Sequence, residues 1–241
     1  MDRASGSIDW QGYRADFPAT ERLVYYNNAA ISPLSTRARS AADAVAAAFE
    51  REGILCEKRV FGRVGEIRKA AATLIGAAPE EIAFTRNTTQ GVLIAANGIR
   101  WRAGENVVLP SVEFPANVYP WMAQRRRGVE LRFVEPRDGI VTTEMIEAAC
   151  DGRTRAVTVS WVQFSSGYRV DLARLGAFCR ESGILLHVDA IQGLGALACD
   201  VERLGIDPEA CLAGRERMWK QAPPSSRELE RLEELERRLD R

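Results

Sequence analysis

An acid and an amide stand three residues apart in Leu185-Leu186-His187-Val188-Asp189-Ala190-Ile191-Gln192. The apolar run from Ile184 to Val188 follows a helix stop at Gly183 and reads as a buried parallel strand. Asp189 falls where that strand ends. A carboxylate there overlooks the crevice in which open α/β sheets hold ligands, and Gln192 can aim its amide at the same ligand. The other reading is a strand-terminal aspartate that caps the next turn. His187, the single histidine, shares a strand face with Asp189. It either supports Asp189 from behind or packs in the core. A second candidate is Arg86-Asn87-Thr88-Thr89-Gln90-Gly91. It lies between a short strand read over Glu81–Thr85 and an apolar helix read from Val92 to Asn97. A strand, then hydroxyls, then a helix start gives free N–H groups and a positive helix end facing one way, which suits an anion. Thr88 and Thr89 would add hydroxyl donors. Plain N-capping by asparagine or threonine is the alternative.

These residues need a scaffold, and the chain supplies alternating strands and helices. Residues 1–24 read as an N-terminal arm. The small residues of Tyr25-Tyr26-Asn27-Asn28-Ala29-Ala30-Ile31-Ser32-Pro33-Leu34 allow close backbone approach to a ligand, or form an ordinary turn. Helices are expected over Thr36–Glu52, Val64–Leu74 and Asp171–Glu181. Strands are expected at Asn106–Pro110, Glu130–Val134 and Ala156–Trp161. The 241 residues, 46% hydrophobic, suffice for one substantial core. Lys+Arg and Asp+Glu are both 33, which argues against nucleic acid or an anionic membrane as partner. No apolar run approaches the roughly 20 residues of a membrane span. Five scattered cysteines show no metal spacing and suggest reduced thiols in a cytoplasmic protein. Only three lysines occur: Lys58, Lys69 and Lys220.

The ordered series of motifs resembles the class V aminotransferases, the pyridoxal-phosphate (PLP) dependent group that holds isopenicillin-N-epimerase-like proteins, kynureninases and cysteine desulfurases. The resemblance runs from Tyr25 to Cys211. It implies the PLP fold type I large domain, mostly a parallel sheet flanked by helices. It implies that Asp189 pairs with the protonated pyridine nitrogen and that Gln192 bonds the phenolic oxygen. It places the cofactor phosphate at Thr88 and Thr89, and Phe114, in Glu113-Phe114-Pro115-Ala116-Asn117-Val118-Tyr119-Pro120-Trp121, on the pyridine face. Stacking on a flat, electron-poor ring suits phenylalanine; plain core is the other reading. Gln163, in Val162-Gln163-Phe164-Ser165-Ser166-Gly167, would also reach the phenolic oxygen. Phe164 stands where desulfurases carry an asparagine, which argues against that subgroup. Asn28, Ala29 and Ala30 would border the pocket of a small-molecule amino-acid substrate. The family is homodimeric.

The resemblance breaks after Cys211. Where relatives read Gly-Gly-His-Lys, with a lysine that binds the cofactor covalently, this chain reads Leu212-Ala213-Gly214-Arg215. Arginine stays protonated and cannot replace that amine. The expectation is a truncated or out-of-frame end, with the small C-terminal domain missing, residues 25–214 forming an incomplete large domain and 215–241 a charged tail. Leu229, Leu232, Leu235 and Leu239 predict a loosely docked helix over 226–239. Two function classes follow: a PLP enzyme acting on an amino acid, made inactive by Arg215, or a non-catalytic remnant that binds PLP weakly or serves only as a partner chain. Strands near Ile82, Val107, Leu131, Val157, Leu185 and Ala210 are expected to make six of the large domain's seven. The one near Ile82 should be the least anchored, in a protein that is poorly soluble or oligomeric.

Overall fold

The computed structural model describes residues 9–28 and 30–206. The chain divides into two compact units between Arg68 and Lys69. Asp9 caps helix α1 (Trp10–Ala15) by accepting the Gly12 N–H at 2.9 Å. Asp16 then takes the Thr36 N–H on its carbonyl at 2.8 Å and Arg37 on its carboxylate at 2.8 Å, pinning α1 to the start of α2. Helix α2 spans Thr36–Glu52 as expected. Ser35 caps its start, and Gly53, at φ +54°, ends it in a conformation that suits glycine. Helix α3, Glu57–Ile75, crosses the unit boundary and begins seven residues before the expected Val64.

The second unit holds helix α4 (Thr88–Gly98), then β1 (Asn106–Pro110), α5 (Tyr119–Met122), β2 (Glu130–Val134), α6 (Thr143–Ala149), β3 (Thr154–Ser160), α7 (Leu172–Glu181) and β4 (Leu185–Asp189). The four strands are all parallel, in the order β2-β1-β3-β4. Strand alternation sends side chains to two faces. Val107 and Leu109 of β1 pack with Val92 and Ala95 of α4, with Ile99 just after it and with Trp121 of α5. Val108, Val157 and Leu186 pack on the opposite face with Ile146 of α6 and Leu175 of α7. Buried on both faces, β1 and β3 read as the near-continuous apolar runs of a covered parallel sheet.

Among the described residues no strand is paired over Glu81–Thr85. Pro79 sets a 3₁₀ turn over Pro79–Glu81, and Glu81 folds back to accept the Ala78 N–H at 2.7 Å. Ile82–Thr85 then runs as irregular chain into the bend before α4, outside the four-stranded sheet. The strand expected near Ala210 and the helix expected over 226–239 lie outside the described residues.

Helix α7 carries the sharpest packing constraint. A Cβ on Gly176 would stand 2.0 Å from the Leu204 carbonyl oxygen and 3.2 Å from the Gly205 Cα. The 200–206 turn that supplies those atoms is tied down by Val201 N–H to the Ile75 carbonyl, 2.9 Å. Gly176→Ala gains up to about 1 kcal/mol of helix propensity. It must also displace backbone that cannot swing aside, at about 1–3 kcal/mol. The clash should win, and thermal unfolding should show Tm several degrees lower. An unchanged or higher Tm would contradict this packing.

Candidate functional site

The strand order contains one switch point. The connection after β1 runs outward to β2, whereas the connection after β3 runs the opposite way to β4. Right-handed crossovers put those connections on opposite faces, so the loops after β1 and β3 part and leave a crevice at their carboxyl ends. The candidate residues gather there. Glu113 and Phe114 follow β1, Gln163 and Phe164 follow β3, and Asp189 ends β4.

Register explains the polar cluster. Leu185, His187 and Asp189 of β4 pair with Ala156, Thr158 and Ser160 of β3. Period two puts all six on the α4 side, so this ladder is apolar at its start and polar at its carboxyl end. Asp189 is buried, and its carboxylate accepts the Ile191 N–H at 3.1 Å. Burial pushes its pKa up, against the pull of that N–H, and no cationic side chain among the described residues contributes.

Beside it lies a second buried carboxylate that sequence reasoning passed over. Glu113 takes the Ser160 N–H at 2.7 Å and the Gln163 Nε2–H at 2.7 Å on Oε1. Its Oε2 takes the Ser160 Oγ–H at 2.5 Å and the Asn117 Nδ2–H at 3.1 Å. Burial nevertheless pushes its pKa up, and the nearby Asp189 adds to the rise. The donors form a chain that leads back to the sheet. Trp121 Nε1–H, which can only donate, reaches Asn117 Oδ1 at 3.5 Å, and Thr158 Oγ–H donates to the same oxygen at 2.8 Å. The Thr158 oxygen is then an acceptor for His187 at 2.9 Å, which assigns the histidine proton to Nδ1. The His187 ring stands edge-on to Trp121, centroids 5.4 Å apart, and burial lowers its pKa to about 4, so it is neutral at pH 7. Of the two readings of His187, the packed histidine with one polar partner describes these contacts.

Phe114 and Phe164 face each other across the crevice, centroids 5.2 Å apart at 82°, and each is about half exposed, at 49% and 50%. Phe114 is therefore no core residue and keeps a ring face available. Gln163 is buried with Nε2 held by Glu113, while its Oε1 meets no donor. Gln192 is half-buried in the turn after β4. Gly193, next to it, fits only because it lacks a Cβ, which would lie 2.7 Å from the Trp161 ring. Thr88 and Thr89 open α4, one turn earlier than expected. Asn87 caps that helix by accepting the Gln90 N–H at 2.9 Å. Asparagine capping and a free helix end thus occur together here, because the cap satisfies the Gln90 N–H and not those of the two threonines. In the first unit Asn28 accepts the Ser32 hydroxyl at 3.5 Å and Ala30 donates its N–H to Asn27 at 3.2 Å. Ala29 and Arg215 lie outside the described residues. Lys58 and Lys69 are exposed on α3. No metal-binding group of histidine, cysteine and acid occurs among the described residues, and no described helix is long and apolar enough to cross a membrane.

The signal for the missed residues was available. Glu113 and Asn117 stand four apart, and Thr158 and Ser160 alternate with valine in a strand otherwise fit for burial. Polar residues at period two on a buried strand require partners.

A parallel sheet with buried acids at its switch point defines a doubly covered α/β architecture, and the comparisons give its family. The profile described as aminotransferase class-V matches residues 24–211, and the chain belongs to that PLP-dependent family. A probable cysteine desulfurase of Methanothermobacter thermautotrophicus is 37% identical over 150 residues, 62% of this chain and 38% of its own. A cysteine desulfurase of Klebsiella pneumoniae is 32% identical over 216 residues, 80% of this chain and 52% of its own. Among solved structures, a C-DES variant with glycine covalently linked to its PLP cofactor superposes with a TM-score of 0.75 at 25% identity, covering 80% of this chain and 53% of that one. The chain spans about half the length of these relatives or less, and its sheet is that of their large domain.

The residues present fit PLP in part. A buried carboxylate whose pKa is raised, with no described cation to offset it, suits a protonated ring nitrogen. A half-exposed aromatic suits the ring face, and an α4 start with two hydroxyls suits the phosphate. The covalent lysine has no counterpart among the described residues.

Proposed function

We propose that this chain is the PLP-binding portion of a class V aminotransferase-type protein acting on an amino-acid substrate, and that it binds the cofactor without holding it covalently. The buried Asp189 carboxylate at the switch point carries this reading. Asp189 would pair with the ring nitrogen and keep it protonated. Phe114 would cover one ring face and exclude water from it. Thr88, Thr89 and the α4 N-terminus would hold the phosphate. Gln192 and Gln163 would lie on the phenolic side, and Asn28, Ala29 and Ala30 at the substrate. Bound PLP supplies an electron sink for substrate carbanions. Arg215, at the lysine position, removes the amine that would anchor it. This chain alone is then a weak binder or a partner chain, in a cytoplasmic protein of a homodimeric kind.

For the reaction type, relatives named cysteine desulfurases support cysteine as substrate. Phe164 in place of an asparagine supports transaminase, epimerase or lyase chemistry instead. Titration of the purified chain with PLP, followed by absorption and by quenching of tryptophan emission, tests the binding reading. A saturable change reversed by dialysis is expected. No saturation up to millimolar PLP would sink the reading.

A further inference from the structure

We infer that Glu113 is a second anion of the Asp189 site, acting on Asp189 across Ser160, so that the site favours a cationic ring over a neutral ring of the same shape. The inference rests on the PLP reading above and adds to it the source of the discrimination.

The geometry is that of two carboxylates flanking one residue. Ser160 ends β3 and is the register partner of Asp189. Immediately after it, the Trp161 N–H donates to the Asp189 carbonyl at 2.9 Å. Ser160 itself gives both its N–H and its hydroxyl to Glu113, at 2.7 and 2.5 Å. Among the described residues, everything else that bonds the Glu113 carboxylate is uncharged: Asn117 and Gln163. His187, at the far end of the chain through Asn117 and Thr158, is neutral at pH 7. Two buried carboxylates that flank one residue repel each other, and each has lost its hydration. Four donors stabilise the charge of Glu113 in place and leave it no reason to move away. A cation placed at Asp189 relieves both penalties at once. A neutral ring of identical outline relieves neither. Glu113 is thus a positioning residue for charge, one that touches no ligand and acts through the electrostatics of its neighbour.

The test compares two ligands on two proteins. One ligand is PLP. The other is its carbocyclic analogue, in which C–H replaces the ring nitrogen and the phosphate arm is kept. The parent chain should bind PLP more tightly than the analogue. Glu113→Gln keeps the side chain's outline and removes its charge. It should shrink that preference by about tenfold or more, the scale of one charge–charge interaction near a protein surface, and any loss through Gln163, which Glu113 also holds, would be common to both ligands. A merely structural role would weaken both ligands in parallel and leave the preference intact, which would overturn the inference. If Glu113→Gln does not fold, Glu113→Ser, which leaves room for water, carries the same expectation. A parent that prefers PLP and a variant that keeps the preference would remove this inference alone. A parent that binds both equally, or neither, would remove the Asp189 reading together with it.

Discussion

Borohydride reduction of this protein in the presence of PLP is expected to leave no stoichiometric phosphopyridoxyl adduct on any lysine. The chain has only Lys58, Lys69 and Lys220. A resident lysine must sit where the ring is already held, so that the covalent bond forms within one complex. Lys58 and Lys69 are exposed on α3 and do not follow the strands that build the switch point. On the proposed register Arg215 takes the lysine position, and a guanidinium remains protonated and unreactive toward the aldehyde. Lys220 lies five residues further on. The expected difference from a lysine-bearing relative is all or none, which makes peptide mass spectrometry decisive. A full-yield adduct on Lys220 would mean that the register is displaced by five residues. Traces scattered over Lys58 and Lys69 would be the ordinary surface reaction of an aldehyde with amines.

How far the sequence revealed this site depends on the physics behind each residue. Helix α2 was legible to the residue, because Ser35 and Gly53 are local signals that act through their own backbone. Strands β1 and β2 were legible to the residue as well, because an apolar run between turn residues carries its own burial. Asp189 could be picked out by its place at a strand end, and Phe114 through the family resemblance. Glu113 could not be ranked above its neighbours, since its role depends on Ser160 and Gln163, 47 and 50 residues away, and on the β3–β4 register. Thr158 and Ser160, alternating with valine, signal that partners are needed, but which partners they take is a property of the folded sheet. At Glu81–Thr85 the local pattern missed only the start: Pro79 and Glu81 commit it to a turn. Moving the α4 start to Thr88 has a functional consequence. It places Thr88 and Thr89 within the first helical turn, where their backbone N–H groups, and not only their hydroxyls, face outward.

Asp189→Ala should weaken PLP binding by two orders of magnitude or more. If the ring nitrogen is buried as a cation, removing its anion leaves an uncompensated charge, at a cost of about 3–5 kcal/mol. Two effects set the value at the lower end. The ring can release its proton and bind as the neutral form. Removing Asp189 also lifts the repulsion that raises the pKa of Glu113, so part of the local negative charge persists nearby. About 3 kcal/mol remains, and each 1.4 kcal/mol is about tenfold in affinity. The alanine variant also deletes the acceptor of the Ile191 N–H and so loosens the turn that carries Gln192. Asp189→Asn separates the two effects, because its amide oxygen can still accept that N–H while its charge is gone. A comparable loss of affinity in both variants assigns the effect to charge. A loss confined to Asp189→Ala assigns it to the turn and leaves the ring nitrogen without its proposed partner. Equal PLP affinity in the parent and both variants would remove Asp189 from the cofactor site altogether.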